Sequence, residues 1–183
     1  MKVQFLIVFF LAAVRCQTTE SVFDLYPELK RTIDGLESEI KTLKAKIDTR
    51  AFLTAWVPDS KTMSKNGVIP FTIIKAMHGV RNVSTMTSRG VFTCEKTGYY
   101  FVSFFVTSKS PLILAPVTLA ILYKNKYDIL ARATKRGGDD YETNAAMTIT
   151  QLNKGDSLSV RARFDGMNVY NTYDSVFTIL QIY

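Results

Sequence analysis

The run Gly98-Tyr99-Tyr100-Phe101-Val102-Ser103-Phe104-Phe105-Val106-Thr107 decides the fold. Successive side chains of an extended strand point to opposite faces. Tyr100, Val102, Phe104 and Val106 therefore share one side, while Tyr99, Phe101 and Phe105 line the other. A strand apolar on both sides must be covered on both sides. No helix pattern near it offers a cover, so the expected cover for the second face is another copy of the same surface.

Outward from this run the chain continues in period two with β-branched and aromatic residues. Strands are expected at Ala51 to Trp56, Val68 to Ile74, Val117 to Tyr123, Tyr127 to Thr134, Thr143 to Leu152, Ser157 to Phe164 and Ser175 to Ile182. Turn chemistry separates them at Asn66-Gly67, Lys124-Asn125-Lys126, Gly137-Gly138-Asp139-Asp140, Lys154-Gly155-Asp156 and Asp165-Gly166. Many short strands at this spacing imply an all-β antiparallel sandwich. Leu158, Val160, Ala162 and Phe164 oppose Ser157, Ser159, Arg161 and Arg163, which places that strand in an outer sheet with one wet face. The C-terminal strand repeats the two-sided behaviour, with Val176, Leu180 and Ile182 opposing Phe177, Ile179 and Tyr183. The expected self-association surface consists of Tyr99, Phe101, Phe105, Phe177, Ile179 and Tyr183.

Before Ala51 the composition changes. Val22, Tyr26, Leu29, Ile33, Leu36, Ile40, Leu43 and Ile47 recur at alternating steps of four and three, the seam of a heptad repeat. Pro27 suits a first helical position, and the helix is placed from Pro27 to about Asp48. The narrow a/d stripe, flanked by charges such as Glu39 and Lys44, favours a coiled-coil stalk over a helix docked on its own head. Ile at a and Leu at d favour two strands in such a coil. Earlier still, Lys2, the apolar run Phe5 to Val14 and the moderate residues after it have the layout of a secretory signal peptide, cleaved after Cys16 or after Ala13. Ten apolar residues are too few for a membrane-spanning helix. The expected organisation is a signal peptide over 1–16, a coiled-coil stalk over 17–50 and a globular head over 51–183.

Charge and cysteine content narrow the function. Removing Lys2 and Arg15 with the signal lowers the net charge from +7 to +5, an excess that suits acidic partners such as anionic polysaccharides. No dense basic block, zinc-finger spacing or aromatic-basic motif points to nucleic acid. The cysteines are Cys16 and Cys94; if the first leaves, the second is read as a small buried hydrophobe.

The segment Gly90 to Phe101, with Phe92, a five-residue gap, Gly98 and the aromatic run Tyr99-Tyr100-Phe101, resembles the complement component 1q domain. Ala51-Phe52, Ile69 with Phe71, Leu152-Asn153-Lys154-Gly155-Asp156 and Ser175-Val176-Phe177 supply further landmarks in order. Val102 and Ile179 depart from the family pattern, as does the segment Met77 to Arg89. The resemblance spans about 51–183 and implies a ten-stranded jelly roll assembling as a homotrimer, a fold shared with the tumour necrosis factor superfamily. It implies three chains where the heptad favours two; the head is given precedence because its interface should bury more aromatic area. No Gly-X-Y repeat occurs, so the chain is similar to short secreted members of the family, abundant in invertebrates such as molluscs.

Chemistry is sparse. His78 is the only histidine and has no carboxylate or thiol cluster beside it in sequence, which argues against a zinc site or a hydrolytic triad. No cofactor is required, and enzymatic activity is not expected. Asp139 and Asp140, with Glu142 nearby, are the candidate ligands for calcium, which some relatives carry. Asn82-Val83-Ser84 is a glycosylation acceptor pattern. The candidate ligand-contacting residues combine rings and cations at loop tips: Lys124, Lys126 and Tyr127, then Lys135 and Arg136, then Tyr170 and Tyr173. These features lead to a secreted, lectin-like recognition protein that holds microbial or anionic glycans through several heads. A matrix or shell component and a receptor-binding signalling ligand are the rival expectations.

Overall fold

The computed structural model describes residues 26–45, 50–109, 117–135 and 141–182. The chain divides into two units, 1–48 and 49–183. In the first, residues 26–45 form helix α1. Leu29, Ile33, Leu36, Ile40 and Leu43, the heptad positions, all stand exposed. Thr32 and Thr42 satisfy their hydroxyls on the carbonyls of Glu28 and Ser38, one turn back. Val22, Ile47 and the signal-peptide segment lie outside the described residues.

The second unit is the expected all-β sandwich. Its elements are β1 (Phe52–Trp56), β2 (Lys61–Met63), β3 (Ile73–His78), α2 (Ser84–Arg89), β4 (Phe92–Thr93), β5 (Gly98–Lys109), β6 (Val117–Lys124), β7 (Asp128–Lys135), β8 (Glu142–Leu152), β9 (Ser157–Ala162), β10 (Met167–Val169), a 3-10 turn (Thr172–Asp174) and β11 (Ser175–Gln181). The larger sheet runs β2-β10-β5-β11-β1-β3, with β8 on the other edge of β5; the smaller runs β4-β9-β6-β7. Among the described residues these strands pair antiparallel. Eleven strands are described where the resemblance implied ten; the two- and three-residue pieces β2, β4 and β10 are the ones that no period-two run in the sequence announces.

The core fills the space between the sheets. Leu53, Ala55 and Val57 enter it from β1 and the residue after it, Tyr100, Val102, Phe104 and Val106 from β5, and Leu158, Val160 and Ala162 from β9. The split of β5 into an inner and an outer face is thus the one expected. β9 lies in the smaller sheet, and the Arg161 guanidinium sits 5.3 Å from the centre of the Tyr123 ring.

The strand expected at Val68 to Ile74 is displaced. Val68 makes a single bridge to Arg161, and β3 begins only at Ile73. Pro70 has no N–H for a ladder. Ile69 and Phe71 still point inward, Phe71 packing 5.9 Å from Phe177. Gly90 closes α2 in the left-handed conformation at φ 67°, its N–H bonded to the Met86 carbonyl. A Cβ there would lie 2.6 Å from the Ile69 carbonyl and 2.8 Å from the Phe71 nitrogen. Both obstacles are backbone, so this glycine is required by space as well as by conformation.

Gly155 also has positive φ, at 93°, but nothing lies within 4 Å of its virtual Cβ. Gly90→Ala is expected to cost upwards of about 2 kcal/mol in urea unfolding, and Gly155→Ala about 1 kcal/mol. Equal losses would remove the steric part of the explanation.

Candidate recognition surface

Three surfaces of the head carry chemistry. The first is the outer face of the larger sheet, built by register alone. Phe52 pairs with Leu180, Leu180 with Phe101, and Phe101 with Ile149. One row further, Thr54, Thr178, Ser103 and Met147 align, and beyond them Trp56, Val176, Phe105 and Ala145. Met147 is 66% and Ile149 64% exposed. The face is therefore largely apolar across four strands.

Register also corrects part of the expected interface. Phe177 pairs with Phe104 and Ile179 with Val102, so both side chains follow the inner row of β5 and are buried at 2% and 1% exposure. The outward positions of β11 are Val176, Thr178 and Leu180. Tyr99, Phe101 and Phe105 do lie on the outer face, and Tyr183 is outside the described residues.

The second surface is the end of the head that carries Ala51 and Gln181, which bond to each other through Gln181 N–H to the Ala51 carbonyl and Ala51 N–H to Gln181 Oε1. Lys124, Lys126 and Tyr127 lie here. Tyr127 is 84% exposed and Lys126, at φ 72°, is exposed. Lys124 is committed to the structure: its Nζ lies 3.1 Å from Asp156 Oδ2 and donates to the Gln151 carbonyl. Asp156 is the hub, accepting from Asn125 Nδ2 at 2.7 Å and Asn153 N–H at 2.8 Å, and so tying the β6–β7 turn to the β8–β9 turn. The Asn125 amide, with the Asn153 N–H and Lys124 behind it, holds the Asp156 carboxyl below its ordinary pKa. Nearby, burial first and the Cys94 thiol second push the Tyr100 phenol well up. Cys94 is buried, as expected, and its thiol donates to the Lys96 carbonyl.

The third surface is the opposite end. Trp56 closes β1, and the Tyr173 ring lies 4.6 Å from it at 58°. Between Thr54 and Ala55 the register to β3 slips by one, making Lys75 the extra residue of a bulge; its Nζ sits 4.3 Å from the centre of the Trp56 ring. A bulge re-aims a side chain in this way. Tyr170 packs 4.8 Å from Tyr141, which has Lys109 Nζ 5.5 Å from its ring centre. Tyr141 also raises the Tyr170 phenol pKa.

The structure thus divides the expected ligand residues. Lys124, Lys126 and Tyr127 are at one end, while Tyr170 and Tyr173 are at the other. Lys135 is not a loop-tip cation at all: it closes β7 with 1% exposure, its side chain withdrawn from solvent. Arg136, Asp139 and Asp140 lie outside the described residues. Among the described residues no three His, Cys, Asp or Glu side chains gather as a metal site. Asn82 is exposed, and its Oδ1 accepts from the Ser84 hydroxyl and N–H of its own triplet. Sequence reading missed Trp56, Lys75, Lys109 and Tyr141. The lone tryptophan at a strand end was a usable signal, whereas the bulge that delivers Lys75 leaves none.

Two antiparallel sheets folded as a jelly roll, with an apolar outer face and ring-and-cation clusters at the ends, are the architecture that the resemblance to the complement component 1q domain implies. Such domains typically bind rather than catalyse. Residues 54–178 match the family model of the C1q domain, and the chain belongs to the C1q-domain family. No match was found among curated protein sequences. The globular domain of zebrafish complement 1qA has a TM-score of 0.55 at 14% identity, over 73% of this chain and 98% of that one. Murine APRIL at pH 8.0 gives 0.56 at 10%, over 73% and 99%. Eiger TNF from S. frugiperda gives 0.54 at 12%, over 73% and 92%. Likeness at these identities shows the common fold.

Asp156→Asn is expected to lower stability at pH 7 by about 1–2 kcal/mol, because the new NH2 group faces the Asn153 N–H and the Lys124 ammonium as donor against donor. With its folded pKa depressed, the carboxylate contributes fully above its ordinary 3.8 and loses the contribution as pH falls through the lower folded value. The gap between wild type and D156N in thermal melts should accordingly shrink below about pH 4. A gap constant down to pH 2 would remove the ionised carboxylate from the account.

Proposed function

We propose that this chain is a secreted binding protein whose heads assemble as a homotrimer and hold acidic glycans on microbial or matrix surfaces by multivalency. The observation that carries the reading is the apolar outer face, with rows such as Phe52-Leu180-Phe101-Ile149 lying on a sheet whose other side is already the core. Exposed contiguous apolar surface of this kind marks an interaction site. A second copy is the proposed occupant, since the same rows then cover one another, and three copies is the number that the family resemblance implies. The heptad seam of α1, exposed from Leu29 to Leu43, supports association through a second element.

The formal charge of +7 on the full chain favours acidic partners. Each head alone would bind weakly, and joining heads raises avidity by about a hundredfold or more where the target repeats its groups. No helix among the described residues is long and apolar enough to cross a membrane. The calcium reading at Asp139 and Asp140 stays with this proposal, as does glycan attachment at Asn82.

Sedimentation of the secreted protein should give the mass of a trimer. Phe101→Asp with Met147→Asp should give a folded monomer, checked by far-UV circular dichroism, whose retention on immobilised acidic polysaccharide falls by about a hundredfold. A wild type that sediments as a stable monomer, or that ignores every acidic polysaccharide, would sink the reading.

A further inference from the structure

The two ring clusters at the end opposite the termini belong to one strip. The segment 167–174 joins them, with Tyr170 against Tyr141 and Tyr173 against Trp56. On the same segment, Asn168 Oδ1 accepts from the Thr62 hydroxyl at 2.5 Å and Asn171 Oδ1 from Ser60 at 3.4 Å. Those bonds fix the carbonyl ends of both amides. Neither Nδ2 has a bond to a described residue, so both remain as donors. Both ring pairs are tilted, at 58° and 46°, and Tyr173 and Tyr141 keep 74% and 63% of their surface in solvent. Tyr141 and Tyr173 are among the exposed large side chains of the head, although apolar burial would favour withdrawing them.

We propose that this strip, from Trp56 and Tyr173 to Tyr170 and Tyr141 with Lys75 and Lys109 at its rings, is the binding site for an acidic oligosaccharide. The inference rests on the multivalent glycan reading above and gives it a place on the head. Aromatic faces pack against the C–H faces of pyranose rings, amide N–H groups donate to sugar hydroxyls, and lysines draw carboxylate or sulfate substituents. Asp59 and Asp174 are exposed and Glu142 is half-buried at the same end. They disfavour a bare polyanion and can accept from hydroxyls, so the ligand must be a sugar carrying acids rather than simply a dense negative charge. Trp56 also begins the row Trp56-Val176-Phe105-Ala145 of the association face, so each assembled head contributes one strip.

Trp56 is the only tryptophan in the chain, which makes its emission a reporter of this site without a label. The assembled full-length protein is titrated with a sulfated octasaccharide cut from heparin, with a neutral malto-octaose and with polyphosphate, and the affinity is measured in parallel by calorimetry. Expected is a saturable emission change with the sulfated sugar alone. Its affinity should fall tenfold or more in Tyr173→Ala and Tyr141→Ala, and several-fold in Lys75→Gln and Lys109→Gln. Affinity should be unchanged in Lys126→Gln and Tyr127→Ala at the other end. Circular dichroism and sedimentation confirm that each variant keeps its fold and assembly. Calorimetric binding with silent tryptophan emission, or weakening by the Lys126 and Tyr127 variants instead, would overturn this placement while leaving the general glycan reading standing. Polyphosphate binding as tightly as the octasaccharide would overturn it too, reducing the strip to plain charge attraction. Failure of the wild type to bind any acidic sugar would remove both.

Discussion

The rest of the head depends on one constraint, that β5 is apolar on both faces and is paired along both edges. β11 lies on one edge and β8 on the other. Side chains alternate, and antiparallel register aligns them, so the parity set by Tyr100, Val102, Phe104 and Val106 passes to every neighbouring strand. A slip of one residue would exchange the core for the outer face. Burial of each large core side chain contributes roughly 1.5–3 kcal/mol, and so the inward set holds the register firmly. The outer rows then follow without any choice of their own. Leu180 and Ile149 face outward because Phe101 does.

The two ends of the sandwich are stabilised differently, and this decides which of their charged groups can serve a ligand. At the end with the termini, Asp156 binds Asn125, Asn153 and Lys124 and so fixes two turns to each other. A cation held by a carboxylate and a carbonyl has little left to offer a partner, so Lys124 is structural. At the opposite end Lys75 and Lys109 rest on aromatic rings. Such a contact is worth about 0.5–1 kcal/mol at an exposed site, and both ammonium groups keep hydrogens for an incoming acid. The residue type is the same in the two cases; the bonding is not.

Much of this was legible in the sequence. The period-two runs at β1, β5, β6, β7, β8, β9 and β11 carried enough alternation to be read as strands, and the landmarks from Gly90 to Phe101 carried the family. What escaped has physical causes. β2, β4 and β10 are too short to show any period. Pro70 broke the ladder inside a run that otherwise looked extended. Phe177 and Ile179 were placed outside because parity within a strand is readable but parity between strands requires register, which only the pairing with Phe104 and Val102 supplies. Lys135 shows the same limit at a strand end, where a polar residue type suggested water and the packing withdrew it. For the candidate site, Tyr170 and Tyr173 were found by type, whereas Lys75 required a bulge and Tyr141 a partner distant in sequence.

Using one strand for two purposes separates folding from assembly and assembly from recognition. The inner face of β5 closes the sandwich, so its loss would abolish the head. The outer face is free of that duty, and in the proposed trimer its rows set the number of chains without altering any residue of the core. In the proposed function recognition falls to the strand ends, where turns and bulges vary at little cost to either face. A weak strip per head suits this arrangement. Were one head to bind tightly alone, assembly would add little discrimination, whereas weak heads joined by an apolar face respond steeply to targets that repeat their acidic sugars and scarcely to isolated ones.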